Sequence, residues 1–136
     1  MRKIELVCIV EDDPIHLYIA QRNIEITGLV NEILVCSNGK DAYEALLDLH
    51  AQGKPMPELI FLDLNMPIWD GWHFLEEYTQ TPFTQPSDIY ILTSSNSDLD
   101  MQMATKYQLE HRYLTKPLCR KALREVLERM RLKVQG

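Results

Sequence analysis

The stretch Pro57–Trp72, PELIFLDLNMPIWDGW, passes through four successive apolar residues, Leu59, Ile60, Phe61 and Leu62, and then stops at an acid, Asp63. A strand that is apolar at every position, instead of every second one, is buried on both faces and needs helices above and below its sheet. Similar short apolar runs occur at Ile4 to Val10, Val30 to Cys36 and Ile89 to Leu92, with a weaker one at Tyr113 to Leu114. Between them lie longer segments with helical spacing. Ala42, Ala45, Leu46 and Leu49 repeat at i, i+3, i+4, i+7, as do Leu123, Val126, Leu127 and Met130. Asp13-Pro14, Asn38-Gly39 and Ser97-Asp98 mark helix starts, and the third helix is short, about Trp72 to Gln80, closed by TPFTQP. The order βαβαβαβαβα with right-handed crossovers predicts an open, doubly wound α/β fold with a parallel sheet between helices.

The 136 residues, 46% hydrophobic and 25% charged, suit one domain over 1–136 and are too few for two comfortable ones. Twenty acidic against fourteen basic side chains give a net charge of -6. That balance disfavours a generic nucleic-acid surface, whose affinity comes from neutralised phosphates, and leaves a protein or small molecule as the expected partner. Cys8, Cys36 and Cys119 form neither a disulfide framework nor a metal-binding spacing, so reduced thiols in the cytoplasm are expected. The start, Met1-Arg2-Lys3 before IELVCIV, imitates a signal peptide, but Glu5 interrupts it and EDDP ends it without a cleavage site. No run approaches the about 20 apolar residues of a membrane span.

In open α/β sheets ligands bind beyond the carboxyl ends of the strands. Glu11, Asp12 and Asp13 follow the first strand, Asp63 the third, Thr93, Ser94 and Ser95 the fourth, and Lys116-Pro117 the fifth. Glu11, Asp12 and Asp63 side by side repel, and a divalent cation together with Lys116 brings the sum to neutral. Every donor is an oxygen, with no His or Cys in the set, which points to a hard ion such as Mg²⁺. A carboxylate beside such an ion, a lysine and a hydroxyl is a good phosphoryl acceptor: Asp63 attacks in line, Lys116 neutralises charge, and Thr93 donates to the phosphoryl group.

These residues resemble the receiver domain of two-component response regulators. CIVEDDP is similar to that family's acidic pair, FLDLNMPIWDGW to its acceptor strand and Met-Pro…Asp-Gly loop, ILTSS to its hydroxyl-bearing strand, and YLTKP to its switch aromatic and Lys-Pro, over about Ile4 to Lys133. The resemblance implies a flavodoxin-like, five-stranded sheet of order 2-1-3-4-5. It implies phosphorylation of Asp63 by a histidine kinase or phosphotransfer protein, with Mg²⁺ held by Glu11, Asp12, Asp63 and the backbone carbonyl of Asn65. It further implies a phosphoryl contact from Lys116, a switch formed by Thr93 and Tyr113, and a cis Lys116-Pro117 bond. A stand-alone receiver of this kind signals by protein–protein contact, without direct DNA or membrane binding, and is not a conventional enzyme.

Three departures from the pattern involve four positions. Glu11 replaces the commoner aspartate, Trp69 stands where a smaller residue is usual and is expected to shape the rim of the site, and Asn65 and Ser95 occupy positions that tune phosphoryl lifetime. Two other readings stand beside the switch. A Mg²⁺-dependent aspartyl-phosphate phosphohydrolase usually shows Asp-x-Asp, where this chain has Asp63-Leu64-Asn65. A phosphorylation-independent binding module, or pseudo-receiver, is disfavoured by the intact acid, hydroxyl and lysine set.

Elsewhere the ordinary readings hold: Asp13 is a cap, His16, His50, His73 and His111 have no ligand spacing, and Cys8 and Cys36 are buried free thiols on neighbouring strands. The last helix carries Arg120, Lys121, Arg124, Arg129, Arg131 and Lys133 against Glu125 and Glu128, a solvated face of +4 on a chain whose remainder is -10.

Overall fold

The computed structural model alternates five strands with five helices: β1 Ile4–Val10, α1 Pro14–Thr27, β2 Val30–Cys36, α2 Gly39–Ala51, β3 Leu59–Asp63, α3 Gly71–Gln80, β4 Asp88–Thr93, α4 Asp98–Lys106, β5 Tyr113–Thr115 and α5 Arg120–Gln135. It describes residues 3–83, 85–94 and 97–135, the last three by backbone alone, so Ser95 lies outside the described residues. The strands pair in parallel in the order β2-β1-β3-β4-β5.

The register explains the continuous apolar runs. Cys8 and Val10 of β1 and Ile60 and Leu62 of β3 pack on one side of the sheet with Leu46 of α2 and Phe74 of α3. Val7, Ile9, Leu59 and Phe61 point the other way, onto Ile24 of α1 and Leu123 and Leu127 of α5. Both faces are therefore core, and β3 is buried along its whole length. Each large apolar side chain taken out of water there contributes about 1.5–3 kcal/mol.

β2 departs from the expected two-sided burial. As an edge strand it has one neighbour, and Asn31, Glu32 and Val35 are exposed while Cys36 alone is buried. The Cys8 and Cys36 thiols are free. Cys8 lies opposite Leu34, and Val10 lies opposite Cys36. This offset separates their α-carbons by about 8 Å on parallel-sheet spacings, beyond the roughly 7 Å that a disulfide spans.

The caps position the loops at the carboxyl edge. Asp13 accepts from the amides of Ile15 and His16 at 2.8 and 3.3 Å, with Pro14 opening α1. Asn38 and Ser97 cap α2 and α4 as their sequence contexts predict. Asp70 also caps α3, through the His73 amide at 2.8 Å, a role its Asp-Gly context did not announce. On α5, Arg129 reaches the Tyr90 hydroxyl at 3.3 Å and Arg131 pairs with Glu128 at 2.7 Å, so two of its cations serve internal contacts as well as the solvated face. No helix among the described residues is long and apolar enough to cross a membrane.

Candidate functional site

Sheet order brings together what the sequence keeps apart. With β1 and β4 on either side of β3, Glu11, Asp63 and Thr93 emerge side by side, and β5 delivers Lys116 after its last residue. The Lys116 amide donates to the Thr93 carbonyl at 2.8 Å, which continues the β4–β5 ladder past Thr115 and fixes where the lysine stem begins. Its ammonium sits 2.6 Å from Glu11 Oε1 and 3.1 Å from Asp63 Oδ1. Glu11 Oε2 accepts from the Asp13 amide at 3.2 Å. The buried polar or charged residues described are Glu11, Asn38, Asp63 and Thr93, and three of these four meet here. Buried charges are costly unless paired, so the lysine between two acids is what makes the cluster tolerable.

Charge in this cluster is finely placed. Burial pushes the Glu11 carboxyl up to about 7, helped by the contact and charge of Asp63 and opposed by Lys116 and the Asp13 amide. Burial works against the Lys116 ammonium, but its bonds and charge interactions with Glu11 and Asp63 outweigh it and hold the group above the ordinary lysine range. Glu11, Asp12 and Asp63 each offer a carboxylate oxygen, all within 4.8 Å of one another. With all three carboxyls ionised the formal sum with one ammonium is -2, and an all-oxygen donor set of this spacing fits a hard divalent cation such as Mg²⁺, which favours the ionised Glu11.

The cluster opens into a cleft of about 510 Å³ whose wall includes Asp12, Asn65, Ser94 and Lys116. The Asn65 amide points to Asp63 Oδ1 at a long 3.4 Å. Glycine at position 71 has a local cause. Its amide donates to the Leu64 carbonyl at 3.0 Å, and a Cβ there would lie 2.6 Å from the Asp63 carbonyl oxygen. The start of α3 is thus pressed against the backbone that carries the acid.

Thr93 is fully buried and Tyr113 is hydrogen-bonded to it. Burial and the nearby Asp100 carboxylate push the Tyr113 phenol above its ordinary value, while the Thr93 bond acts the other way. Glu11, Asp12, Asp63, Asn65 and Lys116 therefore converge on the cleft, and Thr93 with Tyr113 forms a second, adjoining pair. Lys116-Pro117 is cis, as the resemblance implies.

Trp69 does not shape the cleft. Its ring stacks on His73 at 4.2 Å and lies 5.6 Å from Tyr43, turned toward α2 and α3. A large flat ring gains more from those aromatic neighbours than from standing in water over a charged site. Sequence reasoning passed over Ile15 and His16, which line the cleft. The Asp13-Pro14 helix start was the available signal, because it puts the next two residues at the mouth.

Comparison with known proteins agrees with this geometry. The response regulator receiver domain family matches residues 7–128. The chain is 30% identical over 117 residues to Response regulator Rcp1 of Synechocystis sp., covering 82% of this chain and 76% of that protein. A crystal structure of a two component response regulator from Cytophaga hutchinsonii is 30% identical, with a TM-score of 0.83 over 95% of this chain and 98% of that one. The Mn(2+)-bound form of Rcp1 is 26% identical, with a TM-score of 0.69 over 93% and 88% of the two chains. Strand order, the placement of the acids and the sequence match point the same way, and the chain belongs to the response regulator receiver domain family.

Proposed function

We propose that this protein is a phosphorylation-dependent signalling switch, formed by one receiver domain over 1–136, in which Asp63 accepts a phosphoryl group. The observation that carries the reading is the buried Asp63 carboxylate at a strand end, 3.1 Å from the Lys116 ammonium and within 4.8 Å of the Glu11 and Asp12 oxygens. A carboxylate oxygen of Asp63 attacks phosphorus and forms an acyl phosphate. The bond from phosphorus to the donor's imidazole nitrogen breaks, and its electron pair leaves with the imidazole. Lys116 follows the negative charge from the carboxylate to the phosphoryl oxygens, which its four-carbon stem permits. Thr93 turns its hydroxyl to the new group, and its bond to Tyr113 carries the change to β5.

Glu11, Asp12, Asp63 and the Asn65 carbonyl would hold Mg²⁺, which when bound would supply positive charge to the phosphoryl oxygens. The existence of a Mn(2+)-bound form of Rcp1 supports a divalent ion as the partner of this chain's acidic cluster.

The donor is a histidine kinase or phosphotransfer protein. Ile15, Tyr18, Ile68 and Leu99 are each about 70% exposed, and all four belong to segments at the carboxyl edge of the sheet. An apolar rim around a charged cleft suits a protein that must bring its phosphohistidine to Asp63. Output is by binding another protein, in the reducing cytoplasm that three free thiols support, and the chemistry is confined to the protein's own acyl phosphate.

Incubation with acetyl phosphate and Mg²⁺, followed by intact mass, tests the assignment. A labile single-phosphoryl adduct is expected, absent in Asp63→Asn and without the metal. No adduct in the wild type refutes the acceptor role and favours a phosphorylation-independent module. Sustained hydrolysis of phosphate esters favours a phosphohydrolase.

A further inference from the structure

α4 is lightly held. Of its nine residues Asp98–Lys106 only Ala104 is buried. One side chain from another element meets both of its ends. The Trp72 indole N–H donates to Asp100 Oδ1 at 3.0 Å, in the first turn, and the Trp72 ring stacks on Tyr107, just past the last turn, at 6.2 Å and 10°. Asp100 in turn stands close enough to Tyr113 for its charge to act on the phenol. Trp72 directly follows Gly71, whose backbone is bonded to Leu64 and packed on Asp63. The indole is therefore mounted on the acceptor loop at one end and grips α4 at the other.

We infer that Trp72 is a positioning residue that ties the acceptor loop to α4, holding Asp100 beside Tyr113 and fixing the helix in the arrangement of the unmodified protein. The inference rests on the acceptor reading above, since it assigns α4 and Tyr113 to the response that follows occupation of Asp63. A helix with one buried residue sits at the low end of local stability. Loss of the indole bond frees α4 and lowers the cost of rearranging it, so a ligand that favours the rearranged state binds more tightly.

The test compares Trp72→Phe, which keeps a ring for Tyr107 but no donor, Asp100→Ala, which removes the acceptor from the other side, and Asp100→Asn, which keeps an acceptor without the charge. Amide exchange across 98–107 is expected to quicken by about three- to tenfold in the first two and to stay near wild type in the third, from the worth of one hydrogen bond. Beryllofluoride with Mg²⁺, a mimic of the phosphorylated carboxylate, is expected to bind the first two more tightly by a similar factor, followed by titration calorimetry. Unchanged α4 exchange and unchanged affinity in both overturn the inference, as does Asp100→Asn behaving like Asp100→Ala. Asp100 is a partly exposed helix residue, so its variants decide the matter even where Trp72→Phe folds poorly. A wild-type protein that binds no beryllofluoride sinks the acceptor reading instead, and the exchange rates still decide whether Trp72 holds α4.

Discussion

Ile68 holds a φ of 72° with 72% of its surface exposed. A β-branched side chain in the left-handed region is strained, at about 1–3 kcal/mol, and here little burial offsets it. Ile68→Gly is therefore expected to stabilise the fold by about 1 kcal/mol, after allowing about 0.5–1 kcal/mol for glycine's extra freedom in the unfolded chain. A urea midpoint that rises with unchanged slope checks it, and a fall shows that Ile68 makes contacts worth more than its strain. The residue belongs to the apolar rim, which supplies a reason to keep it. At this scale the sequence was most legible where residue type contradicted its surroundings. Asp63 announced itself by ending an apolar run, and Lys116 by standing after a strand beside a cluster of acids. Trp69 gave no such contrast: its orientation depends on Tyr43 and His73, which come from two helices and are invisible to a local reading.

The junction of β3 with α3 does more than connect two elements. Because a Cβ at position 71 would meet the Asp63 carbonyl at 2.6 Å and the Leu64 α-carbon at 3.0 Å, both backbone atoms, there is no flexible neighbour to yield. Gly71→Ala is expected to cost about 1–3 kcal/mol and to slow phosphoryl uptake from acetyl phosphate, as the strand end shifts to make room. Thermal unfolding and adduct formation measured on the same preparation separate the two effects. Wild-type values for both refute the close approach.

Elements were readable in proportion to their burial. β3 and β4 lie inside the sheet and carry unbroken apolar runs over Leu59 to Leu62 and Ile89 to Leu92, whereas β2 sits at the edge and its run is broken by Asn31 and Glu32, two of its three exposed residues. Asn31 and Glu32 were the local sign of an edge, whereas the place of the strand beside β1 is set by the crossover connections and not by the strand itself. The Asp70 cap was hidden for a related reason: a residue inside a recognised loop motif was read for the motif and not for the helix it opens.

The molecule as a whole carries -6, and its site concentrates -2 of that in one cleft. A cation that binds the folded form alone must stabilise it. At one hundred times its dissociation constant Mg²⁺ is expected to add about 2.7 kcal/mol, a rise of several degrees in the thermal midpoint. Asp12→Asn should lose most of that rise while keeping the Lys116 pairs intact. Sodium at matched ionic strength controls for general screening, and an equal rise in sodium refutes a specific site.

The placement of the acceptor cluster has a last consequence, for quality control. Its members stand at 11, 63, 93 and 116, at the ends of four strands, and become neighbours only when β1, β3, β4 and β5 have paired in order. No fragment shorter than the span from 11 to 116 holds all four, and a nascent or damaged chain with its last strand unpaired lacks the lysine that makes the buried acids tolerable. On the acceptor role proposed for Asp63, the protein is not charged with a signal before these four strands have paired, so a phosphorylated copy is expected to be a folded one.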